Sequence, residues 1–337
     1  MTPQLTDKQA SKDEFSAAPF QNLNHGYRNT FQAGKLSIGL VVPIENYDTG
    51  PVPTMHRHVE RIQLAEQLDF SAVWIRDVPF NVPSFGDAGQ TYDPFVYLGL
   101  LAAKTQTIAL GVASVILPLR HPAHVAKAAA TADQLSDGRL ILGVASGDRP
   151  DEYPALNLSY EDRGARFRES IDYIRQMGDD WPAFDSFFGT RTVALDMLPK
   201  PTAGKLPLLI TGGSQQDADW LARHGDGWML YPRPANVQES VIREWRSNLQ
   251  SLKRSNQPIL EPLYVDLTKK ASSAPTPIHL GYRLGTNALI DYLRTRESIG
   301  VNHVAINLRF NQADAEETML RIAEEVLPNF ANGTRSE

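Results

Sequence analysis

The sequence contains no cysteine among its 337 residues. This absence excludes disulfides, thiolate zinc sites, iron–sulfur clusters and thiol nucleophiles. The net charge is −6 and no basic run occurs, so contact with nucleic-acid phosphates is not expected. No apolar run is long enough to cross a bilayer, and the first residues lack the positive-then-apolar pattern of a secretory signal. These absences predict a cytoplasmic protein that contacts neither nucleic acid nor membrane.

Histidine spacing typical of a metal site is also lacking. His56 and His58 lie two residues apart, which would direct them to different sides of a helix. His121 and His124 could share a helix face, but no nearby carboxylate completes a ligand set. We therefore predict no metal site. The sequence also lacks a Walker loop, a hydrolase nucleophile elbow and a Rossmann fingerprint.

The sequence does contain apolar runs that alternate with helical patterns. Residues 108–117 and 139–145 are apolar runs, and an alanine-rich helical pattern lies between them at 123–135. Neither run alternates polar with apolar residues, so both faces of each strand are expected to be buried, as in a parallel sheet covered by helices. This part of the chain predicts one strand–helix–strand unit.

The same unit recurs along the chain. The predicted strands are 36–42, 72–75, 108–115, 140–145, 206–211, 228–231, 260–267 and 303–308. Eight strands in series, with helices between them, predict an α/β fold of the (β/α)8 TIM barrel type over residues 35–330. Residues 1–34 are predicted to be an N-terminal arm, either packed on the barrel or a partner subunit or disordered. The aromatic-rich residues 181–199 do not fit the repeat. We predict that they form an insertion after the fourth strand–helix unit, near the mouth, and that residues 181–188 are a candidate lid.

Small and polar residues follow several predicted strands, at the end of a barrel where active sites lie. Gly212 and Gly213 would let the backbone approach a ligand closely, and the N–H groups of the following helix would face an anion. Ser214, at the start of a capping-box pattern with Asp217, could add a hydrogen bond. The alternative is that the glycines form only a tight turn and that Ser214 only caps the helix.

The order of several motifs resembles the bacterial luciferase-like flavin monooxygenases. The motifs are Ser114-Val115, Leu117-Pro118, His121-Pro122, residues 135–139, residues 142–147, residues 207–214 and Asp226-Gly227-Trp228. The resemblance covers roughly residues 35 to 310. It implies a two-component monooxygenase that uses reduced FMN and dioxygen to oxidise a small organic substrate, with a separate flavin reductase and a homodimeric assembly. Two alternatives are a hydride-transfer oxidoreductase of the same superfamily that uses a deazaflavin coenzyme, and a flavin-binding protein without turnover.

The resemblance also implies where the cofactor binds. In the family, the segment that matches Gly212, Gly213 and Ser214 contributes to the cradle of the flavin phosphate. Ser114 and Val115 lie at the strand end where these enzymes often carry a non-proline cis peptide bond and a bulge that supports the ring. Further contacts with the flavin are expected from the next strand end, at Ser146 and Gly147.

The catalytic group is less defined. Asp77 is expected to contact the flavin edge or the substrate, or else to form a structural ion pair, for instance with Arg76. Asp148 and Tyr231 are further candidates for acid–base chemistry. Arg149 would either add positive charge to the site or pair with Asp148 on a solvated loop. Many luciferase-like enzymes carry a histidine or an acid at this strand end. This sequence has Arg76-Asp77-Val78-Pro79 there, so a luciferase-type catalytic histidine is not supported.

Overall fold

The chain forms a closed barrel of eight parallel strands in a computed structural model that describes residues 18–330. The strands are β1 Ser37–Val41, β2 Ala72–Ile75, β3 Ala109–Ile116, β4 Leu140–Ala145, β5 Asp185–Ser186, β6 Gly189–Thr190, β7 Leu208–Thr211, β8 Gly227–Met229, β9 Ile259–Leu267, β10 Thr276–Ile278, β11 Gly281–Leu284 and β12 His303–Asn307. The ring runs β1-β2-β3-β4-β7-β8-β9-β12, and β12 pairs with β1 to close it. The predicted (β/α)8 barrel is confirmed.

Helices surround the barrel. They are α1 His25–Thr30, α2 His58–Gln67, α3 Pro94–Lys104, α4 Pro122–Leu135, α5 Glu152–Ala155, α6 Arg163–Gln176, α7 Ala218–His224, α8 Ala235–Ser251, α9 Thr286–Ser298 and α10 Ala315–Arg321, followed by a π-helical turn, Ile322–Val326. Proline opens both α3 and α4, where its missing N–H costs no helical hydrogen bond. In the part of the chain described, no helix is long and apolar enough to traverse a bilayer.

The predicted capping role of Ser214 is wrong. Helix α7 begins three residues later than that pattern indicates, and its N-cap is Asp217, whose side chain accepts a hydrogen bond from the Trp220 N–H at 2.8 Å. Ser214 instead donates its hydroxyl hydrogen to the Thr211 carbonyl at 2.7 Å. Because the helix begins after Asp217 and the Ser214 hydroxyl bonds backward within its own turn, Ser214 stabilises the turn after β7 rather than the helix.

Trp74 is the largest side chain in the barrel interior, where it packs with aliphatic residues of the other strands. Trp74 is fully buried, and a Cβ added to Gly111 on the neighbouring strand would lie 2.2 Å from the Trp74 ring. The indole N–H of Trp74 donates to Nε2 of His303, 2.8 Å away. A second, larger apolar layer lies between the strands and the outer helices. This two-layer packing is typical of the fold.

The N-terminal segment closes the barrel at the amino ends of its strands. Tyr27 on α1 packs with the interior residues, and its hydroxyl donates to the Asp226 carbonyl at 2.7 Å. The Gly26 N–H donates to the Gly138 carbonyl at 2.8 Å, so the helix lies directly on the loops at this end. Residues 18–34 of the predicted arm therefore pack on the barrel, and residues 1–17 lie outside the described part of the chain.

Two hairpins interrupt the strand–helix repeat. The predicted insertion carries the antiparallel pair β5–β6. Its Phe184 ring lies 5.2 Å from Tyr173 on α6, and its Phe188 ring lies 5.5 Å from His121 beside α4, so it packs on the outer helices. The second hairpin, β10–β11, was not predicted; β11 pairs in parallel with the end of β9. Its strands are too short to give a clear period-2 pattern.

Candidate active site at the barrel mouth

A cavity of about 340 Å³ opens at the carboxyl ends of the barrel strands. A second cavity of about 110 Å³ reaches into the barrel, lined by apolar residues that include Met229, Leu260 and Pro262. Ser114 and Thr211 are among the residues that line both cavities, so the two spaces adjoin at the centre of the mouth. A pocket with an apolar floor and a polar rim is the usual form of a cofactor or substrate site.

The structure brings most of the predicted site residues to the larger cavity. They are Asp77, Ser114, Ser146, Gly147, Asp148, Gly212, Ser214 and Tyr231. Val115 and Gly213 do not line it. Val115 is fully buried in the layer between strands and helices, and Gly213 lies on the exposed side of its turn. None of residues 181–199 lines either cavity, so nothing in this arrangement supports a lid formed by the insertion.

A bulge in β3 directs Ser114 into the cavity. The register between β3 and β4 shifts between Val112 and Val115, and the peptide bond between Ala113 and Ser114 is cis. Ala113 and Ser114 both line the cavity, which a regular strand would not allow for successive residues. The Ser114 hydroxyl hydrogen-bonds to the Thr211 hydroxyl on β7. The cis bond therefore precedes Ser114, one residue before the Ser114-Val115 step.

Asp77 is held in an ion pair. Its carboxylate accepts two hydrogen bonds from Arg120, at 2.8 and 3.0 Å, and a third from the Ile116 N–H at 3.1 Å. The partner is Arg120 rather than Arg76, since Arg76 binds Asp87 at 2.5 Å. Paired in this bidentate way, Asp77 anchors the segment after β3.

Gly147 is required where the backbone turns at the end of β4. Its φ is +80°, and an added Cβ would lie 2.7 Å from Ile116 Cγ2 and 2.8 Å from the Tyr153 hydroxyl. That hydroxyl donates to the carbonyl of Ser146. The turn is thus fixed from both sides, and it places the buried Ser146 against the cavity. Asp148, the next residue, is exposed.

The turn after β7 lies against the start of α6. Gly212, Ser214 and Gln215 have φ values of +54°, +43° and +62°. For the serine and the glutamine this conformation is strained, and such strain clusters at functional sites. The Gln216 side chain donates to the Gly164 carbonyl at 2.9 Å, which brings Arg163 beside the turn.

Three arginines line the larger cavity, and two of them lack a counter-ion. Arg76 is paired with Asp87, but between residues 18 and 330 no carboxylate lies within 4.0 Å of Arg149 or Arg163. Arg163 donates from Nη1 to the Tyr160 carbonyl at 2.9 Å, and its Nε has no partner. Sequence reasoning missed Arg163, because it is the first residue of helix α6 rather than a residue that follows a strand.

Arg149 is buried beside the other end of the cavity. Its Nη2 donates to the Asp87 carbonyl at 2.9 Å, and its guanidinium lies 4.4 Å from the centre of the Phe85 ring. Its Nη1 has no hydrogen-bond partner. Burial and the neighbouring charge of Arg76 lower the pKa of Arg149, although a guanidinium stays protonated at neutral pH. The predicted alternative, a pair with Asp148 on a solvated loop, is wrong because Arg149 is only 6% exposed.

Glu152 is a titratable residue of the cavity that the sequence did not reveal. It is 2% exposed, and burial raises the pKa of its carboxyl to about 7. Its Oε1 accepts no hydrogen bond. A carboxyl group with this pKa is partly neutral at physiological pH, a property common at functional sites. Within the described residues, no group of three or more histidines and carboxylates could hold a metal ion.

The chain belongs to the luciferase-like monooxygenase family, whose family model matches residues 36–274. A curated relative from Mycobacterium tuberculosis, an F420-dependent hydroxymycolic acid dehydrogenase, is 32% identical over 205 residues. The match covers 59% of this chain and only 54% of that protein. The activity of such a relative therefore does not transfer to this chain by similarity alone.

Solved structures share the fold. The monooxygenase RslO1 from Streptomyces bottropensis has a TM-score of 0.69 at 21% identity, covering 88% of this chain and 100% of that one. An F420-dependent secondary alcohol dehydrogenase has a TM-score of 0.72 at 17% identity, with the same coverage. Flavin monooxygenases and F420-dependent dehydrogenases both occur among these relatives, so the chain belongs to an oxidoreductase superfamily with two cofactor types.

Proposed function

We propose that this protein is an FMN-dependent monooxygenase of the two-component type, which uses reduced FMN and dioxygen to oxidise a small organic substrate. The observation that carries the proposal is the unpaired Arg163 beside the turn after β7, inside the cavity at the barrel mouth. Arg163 is half-buried with its Nε shielded from solvent, and an anionic ligand stabilises a guanidinium that has no counter-ion in such a place. The phosphate of FMN is such an anion.

The residues present fit the cofactor at its phosphate. Arg163 offers its free Nε, and Gly212 opens the turn without a side chain. An added Cβ at Gly212 would meet nothing within 4 Å, so the turn leaves open space where it lines the cavity. A phosphate held here would gain charge-assisted hydrogen bonds of about 1.5–3 kcal/mol each.

The centre of the mouth fits the flavin ring. Ser114 and Ser146 would contact its polar edge, while Leu260, Pro262 and Ala305 line the apolar space below. Bound FMN would supply the redox chemistry and the reaction with dioxygen. The protein would hold the ring and exclude water from it. Asp148 and Tyr231 remain candidates for proton transfer because both line the cavity and neither forms an ion pair within 4.0 Å among residues 18–330, whereas Asp77 is engaged by Arg120.

Supply of reduced FMN by a separate reductase, a homodimeric assembly and a cytoplasmic location belong to this proposal. A second candidate is a deazaflavin-dependent dehydrogenase, favoured by the name of the M. tuberculosis relative. The two candidates differ in dioxygen dependence. A monooxygenase consumes dioxygen in step with substrate when reduced FMN is supplied, whereas a deazaflavin dehydrogenase turns over equally well without dioxygen.

Gly212→Asp tests the phosphate cradle. Gly212 lines the cavity, and a Cβ there meets nothing within 4 Å, so the substitution places a carboxylate beside the proposed phosphate position. Like-charge repulsion should weaken FMN binding at least about thirtyfold, or roughly 2 kcal/mol. Riboflavin lacks the phosphate, so its affinity should change much less. Gly212→Asn is the matched control, because it adds the same volume without charge and tolerates the same positive φ. Fluorescence titration of purified protein with FMN, riboflavin and the deazaflavin coenzyme measures all affinities.

Two results would contradict the proposal. If the unmodified protein bound riboflavin and FMN with equal affinity, no phosphate cradle would exist. If only the deazaflavin coenzyme bound, the second candidate would replace the first.

A further inference from the structure

Arg149 lies at the end of the cavity away from Arg163. Arg149 lies in the loop after β4 and contacts Phe85 and Asp87 in the loop after β2. Arg163 instead lies beside the turn after β7. Along the barrel, β2 and β7 are three strand spacings apart, about 14 Å. The two arginines are therefore held against different loops of the cavity, and a phosphate at the turn after β7 would lie beside Arg163.

The surroundings of Arg149 leave its charge uncompensated. Arg76, Arg120 and Arg309 lie in the same part of the molecule, and each is paired with Asp77 or Asp87. Among residues 18–330, Arg149 forms no ion pair within 4.0 Å: its direct contacts are a backbone carbonyl and an aromatic ring, and Glu152, Asp148 and Asp87 act on it from a greater distance. A buried cation with an unused donor is costly unless a ligand completes it.

Glu152 does not supply the missing charge. Between residues 18 and 330, no ion pair within 4.0 Å joins it to Arg149, and its high pKa leaves a large neutral fraction at pH 7. Glu152 lines the same cavity, and its buried Oε1 has no hydrogen-bond partner. In its neutral form, this carboxyl group can donate a hydrogen bond to an anion.

We propose that Arg149 and Glu152 form a substrate-binding subsite that recognises the carboxylate of a small organic acid. The inference rests on the proposed function, since the acid would be the molecule that is oxidised. The free Nη1 of Arg149 donates to one carboxylate oxygen, and Glu152 donates to the other. This assigns the substrate class, an organic anion, to the monooxygenase site.

The lining around this subsite selects an apolar body for the acid. Phe85, Val78 and Ile116 line the same cavity, and the apolar second cavity adjoins it at Ser114. An aromatic or branched aliphatic acid would bury apolar surface here while its carboxylate reaches Arg149.

A matched pair of probes tests the subsite. Benzoate and benzamide have the same shape and differ in charge. In calorimetric titrations of the FMN-loaded protein at pH 6.5, we expect benzoate to bind at least tenfold more tightly than benzamide. Equal affinities would overturn the proposal, and this comparison needs no variant that must fold. If the protein binds no FMN, the proposed function fails, and the same ratio measured without FMN still decides the role of Arg149.

Substitutions of Arg149 test whether this residue causes the preference for benzoate over benzamide. Arg149→Met keeps the side-chain length against Phe85 and should reduce the benzoate-to-benzamide ratio to about one, with the FMN affinity changed less than threefold. Arg149→Lys should retain part of the ratio because it keeps the charge. The control is Arg168→Met, which removes an exposed arginine on α6 and should leave the ratio unchanged. If Arg149→Met instead abolished FMN binding and spared the ratio, Arg149 would be a cofactor ligand and the proposal would be wrong.

The affinity for benzoate should also depend on pH. The charged groups around Glu152 are Arg149, Asp77 and Asp148, and the Phe80 N–H also hydrogen-bonds to it. As pH rises through about 7, Glu152 ionises and repels the ligand, so benzoate should bind several-fold more weakly at about pH 8 than at about pH 6. Glu152→Gln keeps a neutral donor and should remove this dependence. An unchanged pH profile in that variant would exclude Glu152 from the subsite.

Discussion

Asp226→Ala is expected to destabilise the protein by about 3–5 kcal/mol, because it leaves two cations without their buried partner. The Asp226 side chain is 1% exposed and binds Arg175 at 2.6 Å and Lys205 at 2.5 Å. It also accepts a hydrogen bond from the Leu208 N–H at 3.0 Å, which ties it to the start of β7. The free energy of unfolding from urea titration at pH 7 measures the effect.

The control for this prediction is Asp291→Ala, which removes an exposed carboxylate from α9 and should change the free energy of unfolding by less than about 0.5 kcal/mol. Burial opposes ionisation of Asp226, but Arg175 and Lys205 hold the pKa of this carboxyl below its usual range. Its contribution is therefore present at neutral pH and is lost as pH falls through that lowered pKa. If Asp226→Ala lowered the free energy of unfolding by less than about 1 kcal/mol, the ion pairs of Asp226 with Arg175 and Lys205 would be screened by solvent.

His303 is expected to make the fold sensitive to acid. It is fully buried, and burial lowers the pKa of its imidazole to about 3. The indole N–H of Trp74 is only a donor, so Nε2 of His303 must accept and Nδ1 carries the proton. Nδ1 lies 2.7 Å from the Ser37 hydroxyl, which donates onward to the Thr30 carbonyl. A second proton on the ring would break this chain.

The lowered pKa of His303 sets the direction in which stability changes with pH. The folded pKa is below the unfolded value of about 6.5, so stability is complete above pH 6.5 and falls as pH decreases toward 3. Because of His303, the free energy of unfolding should be about 2 kcal/mol lower at pH 5 and about 3 kcal/mol lower at pH 4 than at neutral pH. His303→Gln keeps an acceptor for Trp74 and a donor for Ser37 without titrating. Its unfolding free energy should fall less between pH 7 and pH 4 than that of the unmodified protein; parallel curves would refute the assignment.

The strands were predictable because they are buried on both faces. Continuous apolar runs identified all eight barrel strands, and the run at 72–75 coincides with β2 Ala72–Ile75. The bounds of β8 were less accurate, since the strand ends at Met229 and Tyr231 lies outside it with 59% of its surface exposed. Residues at the mouth no longer need to be apolar, so the pattern that marks a strand is lost where the strand ends.

The partners of the site residues were not predictable from strand ends. Asp77 was correctly placed at the mouth, but its partner Arg120 lies 43 positions away, after the next strand. Arg149, Glu152 and Arg163 enter the cavity from one long connection, through turns fixed by contacts such as that of Tyr153 with Ser146. Such contacts depend on loop conformation rather than on periodicity, so no sequence pattern marks them.

The N-terminal segment, which closes the barrel at the amino ends of its strands, is synthesised long before the residues that it contacts. Tyr27 finds its acceptor at Asp226, 199 positions later in synthesis, and β1 acquires its second neighbour only when residues 303–307 emerge. Until then, the amino-terminal aromatic residues and one edge of the nascent sheet remain without their final neighbours. The ring therefore closes only after β12 has been synthesised, and chaperones that shield unpaired strand edges would act before that strand is available.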